Sequence, residues 1–250
     1  NENIYVIKAT EDNSILVELC TVKKGSILII ALFIILSKVQ AQSGWYTLFG
    51  NDKLRKGFDL HYEAQYRNHN AIGQLDQLLL RTGIGYSFND KTQNFLIGYG
   101  FIHNKMAEYF EDGLTDSERE ALMFNEHRIF QQYIMKHRVS RILITHRYRL
   151  EERFSRGNNS LRFRYFISGH VPVNNPDFRQ GTFYLGAYNE LFMNFEDSYF
   201  DRNRTYFSLG YTVSKDLKVE LGYLRQDISK NIYNHFQISL FTNIDFKLFK

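Results

Sequence analysis

The amino-acid sequence predicts an all-β protein: an antiparallel up-and-down transmembrane β-barrel of about ten strands, within a range of about ten to twelve, preceded by a signal-peptide helix. Three observations predict this fold. The 250-residue chain contains 17 Tyr and 22 Phe, and aromatic residues favour strands. From Leu54 onward, apolar and polar residues alternate over segments longer than the about 5 to 6 residues of an ordinary strand. An apolar segment near the N-terminus has the pattern of a secretion signal.

The N-terminal apolar segment is predicted to be a cleaved signal peptide. Lys23 and Lys24 precede an apolar run at 25–36, and Val39-Gln40-Ala41 follows it as a small-residue cleavage site. The apolar run has about a dozen residues, whereas a membrane-spanning helix needs about 20. Cleavage is therefore expected after Ala41.

This signal divides the chain into three predicted parts. Residues 22–41 form the signal peptide, and residues 42–250 form the mature β-barrel, which is expected in the bacterial outer membrane. Residues 1–21 precede the signal and are interpreted as an upstream, non-native extension. In that interpretation Val22 is the true start of the protein, read from a GUG start codon.

The strands follow from the alternation of side chains after the cleavage site. In the clearest segment, 58–67, every even position is apolar and every odd position is polar or charged. One face therefore suits lipid and the other suits water, as a membrane barrel requires. The same pattern predicts ten strands in order, at 54–68, 74–88, 93–104, 122–137, 141–155, 160–170, 181–195, 203–213, 217–228 and 233–249.

The connections between these strands agree with a barrel. If the first strand runs outward, the tight turns at 89–90 and 214–216 both lie on the periplasmic side, and the longest connection, 104–121, lies outside. The periplasmic connection at 171–180 is longer than usual. Residues 45–49 form a further candidate strand, which would move the total toward twelve.

A soluble β-sandwich is the alternative fold, because its strands also alternate. Three features favour the membrane barrel. The segments exceed the about 9 to 11 residues that a tilted strand needs to cross a bilayer. The polar face carries more charges than a water-facing sheet requires, and a secretion signal is present.

The polar face predicts a narrow barrel filled by charged side chains. About ten strands enclose a space closer to that of filled eight-stranded barrels than to that of open porins. Arginine dominates over lysine on this face, and its planar fork can pair with carboxylates on neighbouring strands. The predicted lumen charge network consists of Glu63, Arg67, Arg81, Glu126, Arg128, Arg147, Arg149, Glu151, Arg153, Arg162, Arg164, Glu190, Arg204 and Glu220.

Five charged motifs of this face resemble, in their order, the family catalogued as domain of unknown function 2490. They are Glu126-His127-Arg128, Arg147-Tyr148-Arg149-Leu150-Glu151-Glu152-Arg153, Arg162-Phe163-Arg164-Tyr165, Asn189-Glu190-Leu191-Phe192 and Asp201-Arg202-Asn203-Arg204. The stretch at 222–224 fits as well, and the resemblance covers nearly the whole chain from Trp45. Members of that family look like secreted outer-membrane barrels. Because no activity is established for the family, the resemblance implies no catalytic residues.

One group of residues on the polar face has the chemistry of a catalytic site. Asp59, His61 and Glu63 share a strand face, and such a group can serve acid-base catalysis. They would lie in the periplasmic half of the barrel, whereas barrel enzymes carry their sites at the extracellular rim. We therefore interpret the three as paired polar groups of the lumen, and no catalytic residue is predicted.

Metal and cofactor sites are not predicted either. His127, His137 and His146 lie on two adjacent strands, but His146 falls on the apolar face and His137 at a turn. The only cysteine, Cys20, precedes the apolar segment, so the mature chain has no thiolate ligand. A nucleophile elbow and a phosphate-binding glycine loop are absent from the sequence.

The charge pattern limits the possible partners. The net charge is +4, and acidic and basic residues alternate, so nucleic-acid binding has little support. The expected partners are outer-membrane lipids and lipopolysaccharide. The acidic connection at 108–120 could hold divalent cations that bridge lipopolysaccharide, although a solvated loop is the preferred interpretation.

Three functions remain, in order of preference. The first is a closed barrel with a structural or accessory role and no enzymatic activity. The second is a small-solute channel that favours anions because of its arginines. The third is an outer-membrane hydrolase with titratable groups at the outer rim. The number of arginine side chains predicted to fill a narrow lumen favours the first function.

Overall fold

The computed structural model describes residues 6–9, 15–18, 43–70, 72–89, 91–106, 111–196 and 199–244. The chain divides into two compact units, Asn1–Gln40 and Ala41–Lys250. In the first unit, strand β1 (Val6–Ala9) pairs antiparallel with strand β2 (Ile15–Glu18). The predicted signal peptide at 22–41 lies entirely outside the described residues.

The second unit is a closed barrel of eleven strands. Consecutive strands pair antiparallel. The predicted all-β barrel is confirmed, and the strand count falls within the predicted range. The strands are β3 (Ser43–Lys53), β4 (Phe58–Asn68), β5 (Leu75–Phe88), β6 (Gln93–Lys105), β7 (Met123–Val139), β8 (Ile142–Ser155), β9 (Asn158–Pro172), β10 (Phe183–Asn194), β11 (Phe200–Thr212), β12 (Leu217–Ile228) and β13 (Asn231–Thr242).

Strand β3 is the strand beyond the predicted ten, and it contains residues 45–49, the further candidate strand. The ten predicted strands correspond to β4 through β13, and their ends agree within three residues except at the start of the first and the end of the last. The last strand, predicted to run to 249, ends at Thr242, and 245–249 lie outside the described residues. The strand predicted to begin at Leu54 begins instead at Phe58, because a 3-10 turn occupies Arg55–Gly57. Lys56 has a φ of 58° in this turn, and a left-handed residue cannot continue a strand.

The barrel closes through a parallel pair of strands, which corrects the expectation of antiparallel pairing throughout. An odd number of strands makes the first and last run in the same direction, and β13 pairs parallel with β3. Inside the barrel, the Thr47 hydroxyl donates to Ser239 Oγ at 2.8 Å. Outside, the Tyr62 ring covers Gly50, where a Cβ atom would lie 2.0 Å from the ring. Its hydroxyl lies 2.8 Å from Thr242 Oγ1, so Tyr62 ties β4 to β13 across β3.

Alternation gives the barrel an apolar outer wall. Large apolar side chains that point away from the lumen are exposed on most strands, among them Leu80, Ile84, Ile97, Tyr99, Ile129, Ile167, Leu185, Phe207 and Leu240. The core is therefore the lumen, where polar and charged side chains are buried. Within the described residues, no helix is both long and apolar enough to span a membrane.

The longest connection contains a short helix, α1 (Asp116–Ala121). Thr115 is its N-cap, and its hydroxyl accepts a hydrogen bond from the Glu118 backbone N–H. The Glu118 carboxylate accepts in return from the Thr115 hydroxyl at 2.7 Å and from the Thr115 backbone N–H at 2.8 Å. These bonds to the charged form lower the pKa of Glu118. Part of the acidic connection is thus an ordered, capped helix.

Candidate functional site

The charged side chains of the inner face meet in the lumen. Of the fourteen residues predicted to form a charge network, twelve are buried. Arg147 and Arg153 are partly exposed, with 20% and 23% of their side chains accessible. A charged side chain that is buried to this extent needs counter-ions or hydrogen-bonding partners, because an unpaired ion in a low-dielectric interior is costly.

Glu151 on β8 is the centre of the network and is fully buried. Arg162 donates to its Oε2 at 2.6 Å, and Arg164 donates to its Oε1 at 2.7 Å. Arg149 Nη1 lies 3.4 Å from the same carboxylate, and Arg128 Nη1 lies 3.8 Å away. Register explains the arrangement, since Arg162 on β9 stands directly opposite Glu151. Four guanidinium groups therefore share one carboxylate.

Two neighbouring glutamates extend the network around the lumen. On β10, the Glu190 carboxylate accepts from Arg147 and Arg164, each at 2.6 Å. On β7, Glu126 accepts two hydrogen bonds from Arg153, at 2.9 and 2.8 Å, in the bidentate geometry that suits a guanidinium fork. Arg164 joins Glu190 to Glu151, so the pairs form a continuous chain of charges.

The predicted acid-base group at 59, 61 and 63 is divided among other partners. Arg81 Nη1 lies 2.5 Å from Glu63 Oε1, while His61 Nε2 lies 3.9 Å from Glu63 Oε2. Asp59 accepts from Asn94 Nδ2 at 2.8 Å. The three residues share the inner face, as the alternation predicts, but each contacts a different set of neighbouring side chains.

Glu220 lies apart from the arginine network to which it was assigned. Tyr184 and Ser208 donate their hydroxyls to its two oxygens, each at 3.1 Å. His170 Nε2 lies 3.4 Å from Glu220 Oε1. Among the residues that the structure describes, no arginine forms an ion pair with this carboxylate.

Trp45 is an inner-face residue that the sequence analysis did not identify. The Arg67 and Arg204 guanidinium groups make cation–π contacts with its ring, at 3.8 and 4.9 Å from the ring centroid. The His235 ring stacks on it at 4.5 Å. Trp45 was missed because β3 was not counted among the ten strands, although 45–49 was considered as a further candidate strand.

Some hydrogen-bonding partners of the arginines, both neutral and acidic, were absent from the charge network predicted from the sequence. Gln132 accepts from Arg149 at 2.8 and 2.5 Å, and Asp201 accepts from Arg162 at 3.2 Å. Gln132 shares the parity of Glu126 on β7, so alternation alone could have placed it on the inner face. Its pairing with Arg149 requires the register between β7 and β8.

Aromatic rings fill the lumen beside the charges. Phe130 is fully buried and lies against Gly98, where a Cβ atom would stand 2.4 Å from the ring. Tyr184 lies in the same way against Gly210, at 2.1 Å. Glycine is required at both positions because any side chain would occupy the volume of the ring. These contacts place large rings directly against the inner wall.

Two cavities lie at opposite ends of the lumen, and they share no lining residue. The larger, of about 570 Å³, opens among the connections that contain Met106, Arg156 and Glu196. The smaller, of about 270 Å³, includes Leu54 and Lys91 at the other end. We call the larger cavity the vestibule; its charged lining is Arg67, Arg81, Glu126, Arg128, Arg153, Arg156, Arg162, Arg164, Glu196, Arg202 and Arg204.

The three histidines considered for metal binding lie on the outer wall. His146 is on the apolar face as predicted, but His137 is not at a turn: it belongs to β7, and its ring stacks on that of His146 at 5.3 Å with an interplanar angle of 11°. His127 is elsewhere on the wall, with its Nδ1 2.5 Å from the Tyr99 hydroxyl. In the described part of the chain, no three His, Cys, Asp or Glu residues are grouped to hold a metal.

The fold and the inner face define a class: closed β-barrels whose lumen is filled by paired charges. A family model described as "Protein of unknown function (DUF2490)" matches residues 42–237, and the chain belongs to this family. The resemblance inferred from the charged motifs is thereby confirmed. The chain is also 29% identical over 171 residues to an uncharacterized protein of Methylorubrum extorquens, an alignment that covers 66% of this chain and 69% of the relative. No solved structure matches the chain at a significant level.

Proposed function

We propose that this protein is an outer-membrane β-barrel whose lumen is closed by the arginine–carboxylate network and which has a structural or accessory role. The observation that carries the proposal is the complete burial of Glu151 among four guanidinium groups. A water-filled pore would leave its inner charges hydrated, as in porins. Here the charges around Glu151 are paired with one another and excluded from water.

The outer wall supports a membrane location. The eleven barrel strands have 11 to 17 residues, and about 9 to 11 residues suffice for a tilted strand to cross a bilayer. Their exposed side chains include many large apolar residues. A water-soluble monomer rarely exposes contiguous apolar patches beyond a few hundred Å², whereas lipid would cover such a wall.

A row of aromatic rings on the wall supports the same location. Ring contacts with centroid separations of 5.1 to 6.5 Å link six residues from β4 to β9. Tyrosine rings combine an apolar body with a polar hydroxyl, which suits the boundary between lipid and water. The row consists of Phe58, Tyr86, Phe88, Tyr133, Tyr148 and Tyr165. Outer-membrane lipids and lipopolysaccharide are the proposed surroundings.

The location can be tested by separating the two membranes of an expressing Gram-negative bacterium on a density gradient. We expect the protein in the outer-membrane fraction. We also expect the unheated protein to migrate faster on a denaturing gel than the heated protein, as a closed barrel does. Recovery in the soluble or inner-membrane fraction would contradict the proposal.

The alternative function is a small-solute channel, and the arginine excess of the vestibule would make it favour anions. Planar-bilayer recordings separate the two functions. We expect no discrete conductance steps from the refolded protein in a bilayer where a 16-stranded porin, added as the positive control, gives them. Reproducible anion-selective steps would contradict the closed barrel and establish the channel.

A further inference from the structure

The vestibule has the size and position of a ligand site. Its volume of about 570 Å³ lies within the about 300 to 1,000 Å³ of ordinary small-molecule pockets. It opens at one end of the barrel and ends inside at the buried charge network. Its wall is built on paired strands, so the side chains that line it have fixed positions.

The charge of the vestibule is strongly positive. Nine arginines and two glutamates line it. The carboxylates that pair with those arginines are Glu63, Glu126, Glu151, Glu190 and Asp201. With Glu196 at the rim included, nine guanidinium groups meet six carboxylates. Arg147 and Arg149, which do not line the cavity, also form ion pairs with two of these carboxylates, Glu190 and Glu151. The excess of arginines over carboxylates is therefore larger still.

Two of the nine arginines are held by neutral groups. Arg67 is buried, yet it donates to the side-chain oxygens of Gln65 and Gln77, each at 2.5 Å, and its guanidinium lies over the ring of Trp45. Arg156, at the rim, donates to backbone carbonyls, including that of Ala121 at 3.0 Å. Neither forms an ion pair with a carboxylate in the described part of the chain. Their positive charges remain available to a negatively charged ligand.

We propose that the vestibule binds a ligand that carries two or more phosphate groups. A phosphate oxygen pair matches the fork of a guanidinium, and arginine binds phosphate more specifically than lysine does. A single phosphate would reach only part of a lining to which every strand from β4 to β11 contributes. Such a ligand is either the phosphorylated headgroup of an outer-membrane glycolipid or a free polyphosphate compound. The proposal goes beyond the proposed function and does not depend on whether the barrel conducts.

The chain contains its own reporter for this site. Trp45 is its only tryptophan, and the guanidinium groups of two vestibule arginines, Arg67 and Arg204, lie 3.8 and 4.9 Å from the centroid of its ring. An anion that draws either guanidinium toward the cavity changes the surroundings of the indole. Intrinsic fluorescence of the full chain, refolded in a zwitterionic detergent, therefore reports occupancy of the vestibule.

The first experiment titrates tripolyphosphate into this sample at constant ionic strength, with sulfate as the reference anion. We expect a saturable change in Trp45 fluorescence with tripolyphosphate and a much weaker response to sulfate. Arg156→Gln and Arg202→Gln remove rim guanidinium groups without touching the fully buried Glu151. Each is expected to weaken tripolyphosphate binding about tenfold, the usual consequence of losing a hydrogen bond to a charged group.

Arg179→Gln is the matched control. It removes the same charge from an exposed loop outside the vestibule, where Arg179 donates to Asn175 Oδ1 at 2.8 Å. Binding by this variant should equal that of the wild type. A titration without saturation would overturn the proposal. Equal weakening by Arg179→Gln and Arg156→Gln would also overturn it, because binding would then follow net charge and not the vestibule.

A second titration identifies the source of the phosphates. Mixed micelles with and without lipopolysaccharide are compared as competitors of tripolyphosphate. Competition that depends on Arg156 and Arg202 supports a glycolipid headgroup as the ligand. Saturable tripolyphosphate binding without competition supports a free polyphosphate compound. Absence of saturable binding in both arms refutes the site, and the bilayer recordings remain a separate test of lumen closure.

Discussion

Glu151 and Glu220 are both buried acids of the same lumen, yet their surroundings differ in kind. Glu151 is enclosed by guanidinium groups from β7, β8 and β9. Glu220 accepts hydrogen bonds from the hydroxyls of Tyr184 and Ser208. The comparison shows two ways of burying a carboxylate: neutralisation by fixed cations, and solvation by neutral hydroxyl dipoles.

The two regions also differ in which side chains fill the lumen around the buried carboxylate. Around Glu151, the arginine side chains themselves occupy the lumen, and their stems and planar heads pack on rings such as Phe130 and Phe192. Around Glu220, the ring of Tyr184 lies on Gly210. We therefore expect the removal of a charge to cost more stability in the first region than in the second, and ring packing to contribute in both. Three substitutions test this difference.

The largest effect is expected for Glu151→Gln. The amide keeps the shape of the carboxylate but leaves Arg149, Arg162 and Arg164 with less negative charge in a fully buried site. Removing one partner of a buried ion pair costs about 3 to 5 kcal/mol. The free energy of unfolding in urea, measured on protein refolded into lipid vesicles, should fall by that amount.

Glu152→Gln is the matched control for this substitution. Glu152 is the next residue of β8, and it is exposed on the outer face. Its substitution leaves no buried cation without a partner, so it should not lower the free energy of unfolding by more than about 0.5 kcal/mol. If Glu151→Gln proves equally mild, water reaches the network, and the contrast between the two regions disappears.

An intermediate effect is expected for Gly98→Ala, which tests the ring packing. A Cβ atom there would lie 2.4 Å from the Phe130 ring and 2.6 Å from the Thr82 carbonyl oxygen, so both ring and backbone must shift. Overpacking of this kind costs about 1 to 3 kcal/mol in the free energy of unfolding.

Gly169→Ala is the control, because the nearest atom to its Cβ would be 3.7 Å away, on Ile142. The same urea titration should detect almost no loss for this variant. Equal losses at Gly98 and Gly169 would mean that the cost comes from the strand backbone and not from the Phe130 ring.

The sequence reveals the fold and the face of most site residues. Alternation identifies β4 through β13, and it assigns Glu126, Glu151 and their arginine partners to the inner face because side chains in a strand alternate strictly. A period of two contains no information on register, however. It therefore could not predict which arginine meets which carboxylate, or that Glu220 lies among hydroxyls.

The parallel seam and the ring contacts depend on still longer-range geometry. β3 has large apolar side chains on both faces at 45–49, with Trp45 and Phe49 inside and Tyr46 and Leu48 outside, so its alternation was a weaker signal, and Trp45 was overlooked with it. His137 and His146 stack diagonally across β7 and β8. A prediction that treats each strand separately cannot identify such a diagonal contact.

The smallest effect is expected for Glu220→Gln, the same substitution in the other region. The amide oxygen can still accept from the Tyr184 hydroxyl, and the amide nitrogen can donate to Ser208 Oγ in place of the hydrogen bond that Ser208 now gives. Both contacts are retained in altered form, so the loss should stay near the value of one neutral hydrogen bond, about 0.5 to 1.5 kcal/mol. The urea titration used for Glu151→Gln measures it directly.

A loss as large as that of Glu151→Gln would mean that Glu220 is also neutralised by a cation. His170, 3.4 Å away, is the residue in position to be that cation. A double-mutant cycle with His170→Gln decides between the two cases, because a charged pair gives a coupling energy and independent neutral contacts give almost none. Near-zero coupling together with a small loss would establish that the hydroxyls of Tyr184 and Ser208 suffice to bury this carboxylate, and that the arginine network is confined to the vestibule side of the lumen.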